Sequence, residues 1–430
     1  MTAGTGTAAL LTATGTAHSA STDTPSVSGD GKLAGLSLEE LREQLRADLF
    51  DEFLPFAEKF IVDHERGGFM CGVDRDGSSI STDKSTWNQG RGIWTFSHLY
   101  NTVDPDPKWL EIAGKAAEFI VKTRPKGDTL WHKNFSQKGK ALGSPDNVIY
   151  SDIFVATGLQ EFSRAGGDEY WDISKEIMLK CVDIYDNRAD YASLKARETS
   201  PGVSRPRIFS HWFQVGRLAL QMLDKRQDAE VQAVADRCID AVMNAHFNPE
   251  FRLLTEYVNH DLTQIDGDYG QDVTMHAHEV LWLVMRAAAK RGDRVMFDTA
   301  VERFKRHTEV LWDDVYGGLG SLKHVDKNVW NMNKPLWQQV EVLFGTLTMI
   351  ELTGDPWAAE WFEKMYSWFR EKFYLKERGL PLWLFGGDRK VTFTPHSKFV
   401  GVFQQPRQLM LNIQTLDRII ANDGKVKTPF

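Results

Sequence analysis

Of all the residues in this chain, a histidine and a glutamate one helical turn apart have the plainest capacity for chemistry. His276 and Glu279 stand in the stretch Thr274-Met-His-Ala-His-Glu-Val-Leu-Trp-Leu-Val-Met-Arg-Ala-Ala-Ala-Lys290. Its Ala, Leu and Met content favours helix, and Asp272 or Thr274 can cap it. At that spacing the two side chains share one face, while His278 points elsewhere. The positive end of the helix dipole favours a neutral imidazole in the first turn, the form that accepts a proton. The pair therefore suits a general base with a carboxylate to orient and tune it. Two side chains one turn apart can also begin a metal site, but three or four ligands are needed and no cysteine lies nearby, so no metal is expected. Taken alone, the pair reads as well as a polar helix start with two satisfied histidines.

The elements that must position these groups come in pairs. Apolar residues at i, i+3, i+4 and i+7 predict helices over 38–64 with 88–102, 107–123 with 148–165, and 169–187 with 208–224. The second half repeats this with 227–246 and 274–290, 294–313 and 334–353, and 356–375 and 403–422. Six pairs at a period of roughly 60 residues make an internal repeat. The connections inside each pair are long and rich in Gly and aromatics, as in Gly67-Gly-Phe-Met-Cys-Gly-Val-Asp-Arg-Asp-Gly77 and Gly317-Gly-Leu-Gly320. The expected fold is all-α, an (α/α)6 barrel of six helical hairpins. Short β-hairpin loops decorate one rim, and the second helix of each pair lies inside. A linear solenoid would need polar capping repeats, and the apolar Leu409–Ile420 segment is not one.

The barrel is expected over residues 36–424, with 425–430 a C-terminal tail. Residues 1–35 are expected to be a disordered tail or the remnant of an export signal. They hold mostly Thr, Ala, Gly and Ser, and Ala17-His-Ser-Ala20 resembles a cleavage site without its basic leader. A net charge of −8 with no basic tract argues against nucleic acid as a partner. No apolar run is long enough to cross a bilayer. Cys71, Cys181 and Cys238 are too far apart for a zinc ribbon or a disulfide framework. Fourteen Trp and 25 Phe suit either a packed helical core or a cleft that stacks on carbohydrate.

In such a barrel the inner helices start at one rim, and the residues at those starts converge. The six starts carry Trp87, Gln89 and Arg91; Tyr150 and Asp152; His211 and Gln214; His276 and Glu279; Lys334, Trp337, Gln339 and Glu341; and Phe403, Gln404 and Arg407. A purely structural barrel would place small caps there.

These residues resemble the N-acylglucosamine 2-epimerase superfamily, which includes cellobiose 2-epimerases, mannose isomerases and sulfoquinovose isomerases. The resemblance runs from about 38 to 422 and rests on five motifs. Gly67-Gly-Phe with Asp74-Arg-Asp-Gly is the first. Trp87-Asn-Gln-Gly-Arg-Gly-Ile-Trp-Thr-Phe-Ser-His-Leu-Tyr-Asn101 is close to the family's W-x-Q-x-R-x-x-W-x-F-x-x-L-Y. His276-Ala-His-Glu279 fits H-x-x-E. Lys334-Pro-Leu-Trp337-Gln-Gln339-Val-Glu341 fits K-x-W-W-x-Q-x-E with Leu336 for one Trp. His211 fits the third inner helix, with Gln214 where Glu is usual. The closing aromatic-His-x-x-Arg motif departs: it reads Phe403-Gln404-Gln405-Pro406-Arg407, with Phe399 in place of a preceding Trp.

The resemblance implies ring opening of a free reducing sugar and proton abstraction beside its carbonyl. The resulting enediolate is reprotonated at C2 (epimerisation) or C1 (aldose–ketose isomerisation). His276 is then the base, Glu279 tunes it, and Arg91 holds the carbonyl or enediolate oxygen. His211 donates to a sugar oxygen or assists ring opening. Trp87 and Trp337 stack on pyranose faces, and Tyr150, Asp152, Gln339, Glu341, Gln404 and Arg407 complete the sugar site. A buried ion pair with Asp152 is the structural alternative for Arg91. Gln404 stands where the family has a second proton-transfer histidine, and glutamine has no titratable proton. Isomerisation is therefore expected over epimerisation, unless His396, His211 or His278 substitutes. Two other functions compete. One is a glycan hydrolase or lyase using paired carboxylates such as Asp152 and Glu341, and the other a non-catalytic carbohydrate-binding protein. No cofactor is implied, and a small-molecule sugar is the expected partner of a monomer or homodimer. The resemblance places the protein in the cytoplasm, or outside the cell if residues 1–20 end a signal peptide.

Overall fold

Alternating outer and inner helices account for most of the chain. The computed structural model describes residues 20–27, 31–188, 191, 206–266, 272–325, 327–374, 380–382, 384–385 and 396–430. Helix α1 (Leu38–Ala47) runs through a π turn, Asp48–Phe53, into α2 (Leu54–Phe60). Then come α3 (Thr86–Thr102), α4 (Pro107–Lys122), α5 (Tyr150–Ser163), α6 (Asp168–Asn187) and α7 (Phe209–Lys225). The second half holds α8 (Ala229–Asp240), α9 (Ala277–Arg291), α10 (Arg294–Leu311), α11 (Leu336–Thr353), α12 (Pro356–Phe373) and α13 (Gln404–Ala421). Helices α3, α5, α7, α9, α11 and α13 contact one another in that order and close on α3. Each inner helix is also backed by an outer one: α4 on α3, α6 on α5, α8 on α7, α10 on α9, α12 on α11 and α1 on α13. This is the expected (α/α)6 barrel.

Side-chain caps occur on five outer helices, the outer α6 starting instead at Gly167 without one. Ser37, Asp106, Asp228, Asp293 and Asp355 cap the outer helices α1, α4, α8, α10 and α12 through their side chains, each accepting from a backbone N–H of the first turn. None of the six inner helices has a side-chain cap. His276 occupies the N-cap position of α9, so neither Asp272 nor Thr274 caps it as expected; Thr274 Oγ1 instead accepts from His276 N at 3.1 Å. The polar groups at the inner starts are left for the barrel interior.

Two glycines set how closely the first inner helices approach. A Cβ on Gly90 would stand 2.2 Å from the Phe154 backbone, and one on Gly158 2.3 Å from Gly90 O. Backbone-to-backbone contact of α3 with α5 places Trp87 and Arg91 beside Tyr150 and Phe154.

The rim loops are knitted by short antiparallel strands. Some are hairpins within a pair, such as Gly72–Val73 with Ser79–Ser81. Others join neighbouring pairs, which was not expected. Lys84–Ser85 pairs with His132–Phe135, Arg207–Ile208 with Tyr257–Val258, Asp272–Val273 with Leu322–His324, and Lys334–Pro335 with Leu384–Phe385. The expected limits of the barrel also need correction at both ends. Ala20–Pro25 pairs antiparallel with Lys425–Thr428, so neither segment is a free tail, and Val27 and Val426 are buried. Residues 1–19, where the signal remnant was expected, lie outside the described residues. Among the described residues no helix is long and apolar enough to cross a membrane.

Candidate active site

The inner starts converge on a histidine, two carboxylates and three arginines. His276 is half-buried, and its ring stacks on that of Trp337 with centroids 5.2 Å apart. Its Nδ1 lies 3.3 Å from Glu256 Oε2, and that oxygen also accepts from the Thr274 hydroxyl. Among the described residues Nε2 has no partner and is left for a ligand. Burial opposes the imidazolium, yet Glu256, with Glu279 and Glu341 behind it, carries the His276 pKa above its ordinary value. The dipole argument for a lowered pKa is thus overturned, because a carboxylate in contact outweighs partial charges at a helix end. Burial likewise works against the Glu256 carboxylate, but His276 and Thr274 hold its pKa down.

Glu279, the expected partner of His276, faces inward to other groups. Its Oε1 accepts from Arg217 Nη1 at 3.3 Å and Arg407 Nη2 at 3.4 Å. Arg407 also pairs closely with Glu341, whose other oxygen accepts from Trp282 Nε1 at 2.7 Å. Burial, opposed by Arg407 and reinforced by Glu279, pushes the Glu341 carboxyl up. Gln214 Oε1 takes a second bond from Arg217, at 2.6 Å.

Arg91 is buried among aromatic faces, its Cζ 4.7, 4.2 and 5.2 Å from the rings of Trp87, Phe154 and Phe403. Among the described residues no carboxylate hydrogen-bonds it. Its partner is Gln404, whose amide oxygen, turned to the guanidinium, accepts from Nη1 and Nη2 at 3.0 and 3.1 Å. Burial lowers the Arg91 pKa well below its ordinary value, with Glu279 opposing and Arg217 and Arg407 adding to the shift.

His211 is buried and tied at both nitrogens, to Tyr150 Oη at 3.2 Å through Nδ1 and to Tyr191 Oη at 2.7 Å through Nε2. Both ring nitrogens are thus taken up by protein hydroxyls. Tyr150 is half-buried; its hydroxyl lies 2.5 Å from Ser210 Oγ, and Ser210 Oγ donates to Glu256 Oε1 at 3.5 Å. Trp87, Tyr150, His276 and Trp337 are thus the site residues with surface left to offer.

Two expected sugar contacts are structural. Asp152 is fully buried and accepts from Trp131 N at 3.0 Å and Lys180 Nζ at 2.9 Å, so it pairs neither with Arg91 nor with Glu341. Gln339 bridges the backbone of Leu319, accepting from its N–H at 2.7 Å and donating to its carbonyl at 3.1 Å. Gln89 does the same to Phe69. Two other histidines expected as possible proton-transfer groups are engaged elsewhere, His278 with Thr308 Oγ1 at 3.1 Å and the exposed His396 with Asp74 at 2.7 Å. The reading from sequence missed Glu256, Ser210, Thr274 and Arg217. Arg217 carried a signal, a charge inside an apolar inner-helix pattern. Glu256 carried none, since a loop glutamate is ordinary.

An imidazole paired with a carboxylate, facing buried guanidinium groups at the rim of an (α/α)6 barrel, defines a sugar epimerase or isomerase class of enzyme. The family model for N-acylglucosamine 2-epimerase matches residues 67–394, and the chain belongs to that family. N-acylglucosamine 2-epimerase of Bos taurus is 25% identical over 415 residues, covering 89% of this chain and 94% of that protein. The solved structure of cellobiose 2-epimerase from Bacillus thermoamylovorans shares the fold with a TM-score of 0.74 at 17% identity, over 87% of this chain and 99% of that one. A D-mannose isomerase structure shares it at 0.69 and 16% identity, over 88% and 97%.

Proposed function

We propose that the protein interconverts a free reducing aldose and its ketose, with C2 epimerisation the lesser outcome. The observation that carries this reading is the contact between Arg91 and Gln404. Gln404, where the family resemblance implies a second proton-transfer histidine, holds Arg91 with an amide that neither gives nor takes a proton. Among the described residues, His276 with Glu256 remains as the base at the cleft with a ring nitrogen left for a ligand. One imidazole can carry a proton from C2 to C1 on a single face of the enediolate. Epimerisation needs proton delivery to the other face as well. Arg91, which hydrogen-bonds no carboxylate among the described residues, suits the oxygen on which charge develops. Trp87 and Trp337 offer faces for the sugar.

The names of the relatives set the test panel: N-acetylglucosamine, cellobiose and D-mannose, with D-glucose added. Each is incubated in D2O and followed by NMR. Ketose is expected from at least one, and His276→Asn is expected to lower the rate by about 10²–10⁴-fold. Gln404→His is expected to add C2 epimer to the products. A deuterated C2 epimer formed by the native protein with no ketose would rule the isomerase reading out.

A further inference from the structure

We propose that Tyr150, set by His211, carries the hydroxyl proton between O2 and O1 of the open-chain sugar while His276 carries the carbon-bound one. This assignment rests on the isomerase reading above. Aldose–ketose exchange moves two hydrogens: one from C2 to C1 and one from O2 to O1. Gln404 cannot serve the second, and His211, His278 and His396 are engaged as described.

The hydrogen bonds around Tyr150 can be given one consistent direction. Ile149 N–H donates to Tyr191 Oη at 3.1 Å, and we assign the Tyr191 proton to His211 Nε2, 2.7 Å away. The neutral ring then carries its proton on Nδ1, and that N–H donates to Tyr150 Oη at 3.2 Å. A donor held on a phenol oxygen stabilises the tyrosinate and eases loss of its proton. Through Ser210, the Tyr150 hydroxyl joins the same Glu256 carboxylate that holds His276. Its ring lies 5.3 Å from that of Trp87, which stacks under Arg91. Glu256 thus links Tyr150 to His276, and the Trp87 indole links Tyr150 to Arg91.

The steps balance without a co-reactant. His276 Nε2 takes the C2 proton, the C–H pair becomes the C1=C2 bond, and the carbonyl pair moves to O1 beside Arg91. Tyr150 gives its proton to O1 and receives the O2 proton as the C2=O2 bond forms. His276 then returns its proton to C1. Both groups finish as they began.

The test compares native protein with Tyr150→Phe in D2O, using whichever aldose of the panel the native protein converts. Without the shuttle, the enediolate returns to aldose many times before O1 is protonated. Ketose formation is expected to fall about 10²-fold, and C2 deuterium in recovered aldose per ketose formed to rise about tenfold or more. His211→Gln, which removes the Nδ1 donor, should raise the same ratio, and His211→Asn, whose amide N–H falls near Nδ1, should restore it in part. The two His211 variants carry the test if Tyr150→Phe does not fold. Ketose formation within about threefold of native, or exchange and ketose formation falling in equal proportion, would overturn the role of Tyr150. A native protein that makes no ketose would overturn the isomerase reading, and this assignment with it.

Discussion

At the residue scale, His276 draws its properties chiefly from Glu256, which it contacts, while Glu279 hydrogen-bonds Arg217 and Arg407 and acts on it only through its charge. Activity as a base requires the neutral imidazole, so kcat/KM should rise with pH through the pKa of His276, which lies above the ordinary 6.5. Glu256→Gln removes the nearest negative charge and lowers that pKa. The acidic limb of the pH–rate profile should therefore move to lower pH, and the plateau should fall as the imidazole becomes a weaker base. A limb that stays in place or moves upward would show that Glu256 does not tune His276. Glu279 was legible as a site residue because H-x-x-E has helical spacing, but its partner was not: spacing places a side chain on a face without saying what stands opposite.

At the element scale, two rim turns are built alike. Gly67-Gly68 and Gly317-Gly318 all have positive φ and press against Lys115 and Gln89, and against Trp368. Behind each turn sits a fully buried lysine paired with an aspartate, Lys84 with Asp63 at 3.0 Å and Lys334 with Asp313 at 2.8 Å. Gln89 and Gln339 then clamp the residue after the glycines. Gln339→Ala would leave the N–H and carbonyl of Leu319 buried without partners, at about 1–3 kcal/mol for each group. Urea unfolding should register that loss, while KM for the sugar changes little once the fold is intact. A large rise in KM at unchanged stability would return Gln339 to the sugar site. The motif K-x-x-W-x-Q was readable in sequence, but whether its glutamine met a ligand or a loop depended on a turn folded against it.

For the whole molecule, burial is the dominant influence on ionisation. His246, His278 and His307 are fully buried. Burial lowers the His246 pKa to about 4 against the help of Thr255, lowers His278 to about 3, and with His278 and the neighbouring arginines lowers His307 well below the usual range. Between the folded and unfolded values the unfolded chain binds more protons, so stability falls as pH drops below about 6.5. His246 alone contributes a loss of about 3 kcal/mol by pH 4. Denaturant midpoints should decline over that range, and His246→Gln or His278→Gln should flatten the slope. Midpoints independent of pH from 6.5 to 4 would contradict this account.

The amino-acid sequence alone determined the repeat of helical pairs, the closed barrel and the six polar inner starts, because each is written in local periodicity. It also drew attention to Gln404, because a departure from an expected motif can be read without coordinates. The partners were decided only in three dimensions. Glu256 reaches His276 from the long loop between α8 and α9, Tyr150 at the start of α5 reaches His211 on α7, and the strand Ala20–Pro25 meets Lys425–Thr428 from the far end of the chain. Such contacts join residues far apart in sequence, and only the closed ring of helices brings them within hydrogen-bonding distance.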